Sequence, residues 1–101
     1  MIVVQGVFRV AAEDREQFLA QSVENQRISR SEKGCIEYVL AADPLEPDRV
    51  VLSERWETKA DLDAHLEALR QRRRAPGTNA AAVEPISREV SFLEATAIDL
   101  T

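Results

Sequence analysis

The chain has 101 residues, 45% of them hydrophobic and 31% charged, with a formal net charge of −5 and one cysteine. That is the size of one domain; the acidic balance argues against a nucleic-acid surface, and one thiol excludes an internal disulfide framework. No apolar run reaches the roughly 20 residues of a membrane span, and the N-terminus carries no basic region or cleavage pattern, so a small cytoplasmic protein is expected.

Residues 2–10, Ile-Val-Val-Gln-Gly-Val-Phe-Arg-Val, are rich in β-branched side chains and predict a strand. Asp14, with Gln17 three positions on, predicts a capped helix start. From there to about Ser31, residues Phe18, Leu19, Ser22, Val23 and Gln26 trace one helical stripe, and Lys33-Gly34 supplies the stop. Ser22 and Gln26 are the polar members of that stripe. Groups of this kind either satisfy each other or face a ligand.

Residues 35–42 predict a second strand, and Asp43-Pro44-Leu45-Glu46-Pro47-Asp48 a turn. Residues 49–57 predict a third strand, antiparallel to the second. Strand side chains alternate with period two, so Glu54 and Trp56 share a face. Thr58-Lys59-Ala60-Asp61 resembles a capping box opening a second helix, with Leu62, Leu66 and Leu69 on its buried side and the chain's only histidine, His65, among them. The helix ends in Arg70-Gln71-Arg72-Arg73-Arg74, cations that complement the helix dipole and stay solvated; the alternative is that they meet an acidic substrate or a phosphate-bearing carrier. Ala75-Pro76-Gly77 breaks it. Residues 78–85 form a further helical turn or a loop, and residues 86–98 predict a fourth strand.

The order β-α-β-β-α-β predicts an α+β, ferredoxin-like split βαβ domain spanning residues 1–101, with four antiparallel strands and two helices on one face. The first strand is apolar on both faces, with Ile2, Val4 and Phe8 opposed to Val3 and Val7. A sheet face left to water would not carry the second set, which predicts a homodimer packed sheet against sheet.

Three segments resemble the antibiotic biosynthesis monooxygenase (ABM) superfamily of dimeric α+β barrels. They are Glu32-Lys33-Gly34-Cys35-Ile36-Glu37-Tyr38, similar to an E-x-G-C-x-x-Y entry into the second strand; Glu54-Arg55-Trp56-Glu57; and Leu62-Asp63-Ala64-His65-Leu66. The resemblance is to quinol monooxygenase-like members. It implies an enzyme that oxidises a quinol or polycyclic phenolic compound with O2, using neither cofactor nor metal. Some positions depart from the family. The second histidine of quinol-type members falls on Arg70, helix one carries no late histidine, and the first strand has Gln5 and Gly6 where haem-degrading members place an asparagine. The last departure, with a second helix ending in arginines, argues against haem degradation.

In such an enzyme the substrate supplies the electrons, and the protein supplies a proton acceptor, an apolar cavity and donors for the developing oxyanion. His65 is the expected base, because small environmental shifts move an imidazole across neutral pH. The alternative is a structural histidine. Glu54 is expected to orient His65 or take the proton itself; the alternative is a buried pair with His65, Arg9 or Arg88. Tyr38 and Trp56 are the expected aromatic walls, against plain core packing, and Phe18, Ser22 and Gln26 line the same cavity with Asn25 nearby. Cys35 reads as a small hydrophobe. One histidine and one cysteine far apart make no metal-ligand pattern, and no glycine-rich phosphate loop is present. Two rival functions fit the residues: a cofactor-free isomerase of a small carbonyl compound, and a non-catalytic small-molecule-binding module.

Overall fold

A computed structural model describes residues 1–74 and 82–100. The expectations for Ala75-Pro76-Gly77 and for residues 78–81 lie outside the described residues. The elements are β1 (Ile2–Arg9), a 3-10 turn (Ala12–Asp14), α1 (Arg15–Ser31), β2 (Cys35–Ala42), β3 (Arg49–Trp56), α2 (Lys59–Arg74) and β4 (Ser87–Glu94). The strands form one antiparallel sheet in the order β2-β3-β1-β4, the ferredoxin-like α+β arrangement.

β1 and β3 hold the centre, paired from Ile2 opposite Trp56 to Arg9 opposite Arg49. Their even-numbered residues turn toward the helices. Val4, Leu52, Trp56, Tyr38 and Leu62 make one buried cluster, and Val10, Phe18 and Val50 a second. The odd-numbered face carries Val3, Val7, Val39, Val51 and Leu93, and none of the described helices packs on it.

Three boundaries differ from the sequence expectation. Asp14 makes no side-chain cap; a 3-10 turn held by Asp14 N–H on Ala11 O (2.9 Å) leads into α1 instead. Val23 is 47% exposed, because the inward stripe of α1 runs through Phe18, Ser22, Asn25 and Ser29. β4 stops at Glu94 rather than reaching Ile98. Glu94 lies opposite Ile2, the first residue of β1, and Ala95 N–H donates to Met1 O (2.9 Å).

The turn between α1 and β2 sets where α2 can sit. Gly34 has φ +80°, a left-handed conformation that L side chains avoid, and a Cβ there would lie 2.1 Å from Asp61 Oδ2. Asp61 belongs to the first turn of α2. Its backbone N–H donates to Thr58 Oγ1 (3.1 Å), and Thr58 Oγ1 donates to Asp61 Oδ2 (2.9 Å), so the expected cap does form. The glycine thus lets the start of α2 seat on the end of α1. Gly34→Ala is expected to cost about 1–2 kcal/mol for the left-handed backbone alone, and more for displacing the carboxylate. Urea unfolding of Gly34→Ala, Asp61→Ala and the double variant checks this: the double variant should recover only the part due to the carboxylate, because the Cβ at position 61, 2.6 Å from the added Cβ, remains.

Candidate functional site

A cavity of about 470 Å³ lies between α1, the second half of α2, residues 83–85 and the helix-facing side of the sheet. Its walls mix apolar side chains, Phe8, Phe18, Leu40, Leu52 and Leu69 among them, with polar ones, including Tyr38, Asn25, Ser22, Arg73, Glu84 and Arg88. Segment 83–85 is pinned over α1 by Gln21, whose Nε2 donates to Val83 O (2.7 Å) and whose Oε1 accepts from Val83 N (3.0 Å). A hollow of about 400 Å³ on the opposite sheet face, lined by Gln5, Val51 and Ser53 among others, contains none of the expected site residues.

Behind the Tyr38 wall sits a buried polar cluster. His65 comes from α2, is 1% exposed, and approaches Glu32 Oε1 with Nδ1 at 2.6 Å. A carboxylate accepts, so the proton is assigned to Nδ1. Nε2 lies 3.8 Å from Glu54 Oε1, too far for a hydrogen bond, and has no partner among the described residues. Glu54 Oε1 instead accepts from Trp56 Nε1 at 2.9 Å, as the period-two pattern of β3 allows. Trp56 stacks on His65 with centroids 4.6 Å apart, and Tyr38 meets the same imidazole edge-on at 5.4 Å.

Polar contacts lead from this cluster to the cavity. Glu32 Oε2 is 3.8 Å from Arg72 Nη1; Arg72 Nη2 donates to Asn25 Oδ1 (2.8 Å); and Asn25 Nδ2 donates to the Tyr38 hydroxyl oxygen (3.1 Å). Burial pushes the Glu54 carboxyl above its ordinary value, opposed by the Trp56 N–H and by His65. Burial also pushes the Tyr38 phenol up to about 12, with the charge of Glu54 adding to the effect. The Tyr38 hydroxyl therefore stays protonated and remains a donor.

The expected site residues fall into two groups. Tyr38, Phe18 and Ser22 line the cavity, and Asn25 joins them. His65, Glu54 and Trp56 come together as expected but lie behind the wall, 1%, 5% and 0% exposed, and are not among the residues lining the cavity. Gln26 does not reach it either: its Nε2 donates to Ser22 Oγ (3.0 Å) and its Oε1 accepts from Leu40 N (3.3 Å), which ties α1 to β2. The suggested arginine partners of Glu54 lie elsewhere, with Arg9 on Glu46 and Asp48 and Arg88 beside Glu84. Glu32 has no site role in the sequence reading, and Arg72 and Arg73 are placed there only in the basic run that ends α2. The arginines were legible, since 65, 69, 72 and 73 follow helical spacing and bring them onto the face of His65.

Residues 1–75 match the sequence model of the family described as "Antibiotic biosynthesis monooxygenase". An uncharacterized protein of Synechocystis, sll1783, is 38% identical over 66 residues, 65% of this chain and 45% of that protein, so the match spans less than half of that relative. YcnE of Bacillus subtilis, named as a proposed monooxygenase, is 34% identical over 67 residues, 66% of this chain and 70% of that one. A crystal structure titled as an antibiotic biosynthesis monooxygenase superposes with a TM-score of 0.74 at 26% identity, covering 96% of this chain and 100% of the other.

Proposed function

We propose, from the premise that this chain belongs to the antibiotic biosynthesis monooxygenase family, that it oxidises a quinol or polycyclic phenol with O2 without a resident cofactor. The observation that carries this reading is the 470 Å³ cavity with Phe8, Phe18 and Tyr38 in its lining, the Tyr38 phenol being held neutral by burial. Such a volume suits a small multi-ring ligand.

A substrate hydroxyl binds beside Tyr38. The phenol O–H, held by the Asn25 N–H and through it by Arg72, donates to the substrate oxygen and favours its ionisation, the proton leaving to solvent. The electron-rich anion then reduces O2. One oxygen atom enters a ring C–H and the other leaves as water; quinol plus O2 gives hydroxyquinone plus H2O, the substrate giving all four electrons. His65 and Glu54 act from behind the wall as positioning residues. Their charges set the field at Tyr38, and His65 braces its ring. With 1,4-dihydroxynaphthalene in an oxygen electrode, enzyme-dependent uptake of one O2 per quinol and a hydroxyquinone labelled from 18O2 are expected. No enzyme-dependent uptake across a panel of naphthoquinols and anthrones would remove this reading.

The burial of His65 away from the cavity favours one rival, a binding module, which would take up the same ligands without consuming oxygen. The uncovered sheet face with Val3, Val7, Val39, Val51 and Leu93 supports a homodimer packed sheet on sheet. Sedimentation velocity at micromolar concentration should then report twice the 11.3 kDa chain mass. The cytoplasm is the proposed setting; among the described residues no helix is long and apolar enough to cross a membrane.

A further inference from the structure

We infer that the cavity selects an anionic aromatic ligand, a quinol or phenol carrying a carboxylate, whose hydroxyl meets Tyr38 while its carboxylate meets Arg88 and Arg73. The inference rests on the substrate reading above and narrows it.

The chain as a whole is acidic, at −5, yet this cavity is lined by two guanidinium groups and one carboxylate. Arg73 comes from the last turn of α2, eight residues beyond His65 and four beyond Leu69, on the helix face that roofs the cavity. Arg88 comes from β4. The carboxylate, Glu84, has a side chain 81% exposed and stands 3.9 Å from Arg88 Nη2, beyond hydrogen-bond distance. A pair so exposed and so long contributes little and yields readily to a ligand carboxylate. The Arg88 guanidinium carbon also lies 6.0 Å from the centroid of Phe8, so the cation sits next to the aromatic wall.

The sheet register separates the two recognition ends. Tyr38 shares a cross-strand row with Glu54, Val4 and Phe92, whereas Arg88 shares one with Phe8, Val50 and Ala42. The rows are four residues apart, about 13 Å along the strands, and the two side chains rise from strands three spacings apart, about 14 Å across the sheet. Both line the same cavity from opposite corners of the helix-facing side. The space between them suits a planar ring system with a hydroxyl at one end and an acid at the other. A planar guanidinium fork matches a carboxylate in geometry and charge, which a neutral ligand cannot use.

The test is calorimetric titration of the full chain under argon, where a quinol binds without being oxidised, using 1,4-dihydroxy-2-naphthoate against 1,4-dihydroxynaphthalene. The acid is expected to bind about tenfold tighter or better, in line with one charge-assisted pair. Arg88→Gln and Arg73→Gln should each weaken the acid several-fold, leave the neutral quinol within about twofold, and retain the wild-type circular dichroism. Equal affinity for the two compounds, or an equal loss for both in the variants, overturns the inference. The two proposals fail separately. Preferential binding of the acid with no oxygen uptake in air upholds the anion site and removes the oxidase, whereas oxidation of both compounds with the same KM and affinity upholds the oxidase and removes the anion site.

Discussion

Replacing His65 with alanine is expected to cost about 3–5 kcal/mol of stability, the usual price of removing one partner from a buried ionic cluster. Three losses add together. The imidazole is 1% exposed, so its removal leaves a cavity against Trp56 and Tyr38. Glu32 loses the 2.6 Å contact at Nδ1. Glu54, 5% exposed, loses the nearby imidazole that opposes the effect of its burial. The last loss has a sign that can be measured. A carboxyl whose folded pKa lies above its unfolded value binds more protons when folded, so stability falls as pH rises between the two values. Without His65 the folded value of Glu54 rises further and the fall extends to higher pH. Urea unfolding of wild type and His65→Ala at pH 5 and pH 8 measures the cost. A difference below about 1 kcal/mol at both pH values would mean that the cluster contributes little to the fold. His65→Gln, which can keep a donor toward Glu32, is the companion variant for activity.

Tyr38→Phe is expected to lower turnover of a quinol about 10²–10³-fold, the cost of deleting one oxyanion donor, with a loss of only about 1 kcal/mol in stability for the bond accepted from Asn25. The split between these readouts separates a donor to substrate from a packing role: a purely structural tyrosine would lose stability and keep its kcat. Because the phenol is pushed up to about 12, the wild-type rate should show no alkaline limb from Tyr38 in the ordinary assay range. Stability should show one. The folded pKa exceeds the unfolded value of about 10, so wild type loses stability as pH rises from 10 toward 12. Tyr38→Phe, with no phenol to ionise, should lose less over that interval.

Much of the fold was legible along the chain. The β-branched run 2–10, the glycine at 34, the two prolines at 44 and 47 and the leucines at 62, 66 and 69 each act over a few residues, and together they spell β-α-β-β-α-β. Period two was enough to put Glu54 and Trp56 side by side, and their hydrogen bond follows from it. The end of β4 was not legible, because it depends on its register against β1, where Glu94 falls opposite Ile2.

The site divides along the same line. Local spacing determined which residues turn inward: Phe18 and Ser22 from α1, Tyr38 from β2, and His65, Leu69 and Arg73 from α2. Only the tertiary structure decided their partners. Glu32 reaches His65 across 33 positions, and Arg72 reaches Asn25 across 47. The depth of His65 was decided the same way. α2 seats close over Gly34, which buries Leu62 and His65 against the sheet, and the 470 Å³ cavity lies toward its arginine end. Periodicity fixes the direction of a side chain relative to its own backbone, but depth and partner depend on how closely two elements approach, and that distance is set by packing between residues far apart in the chain.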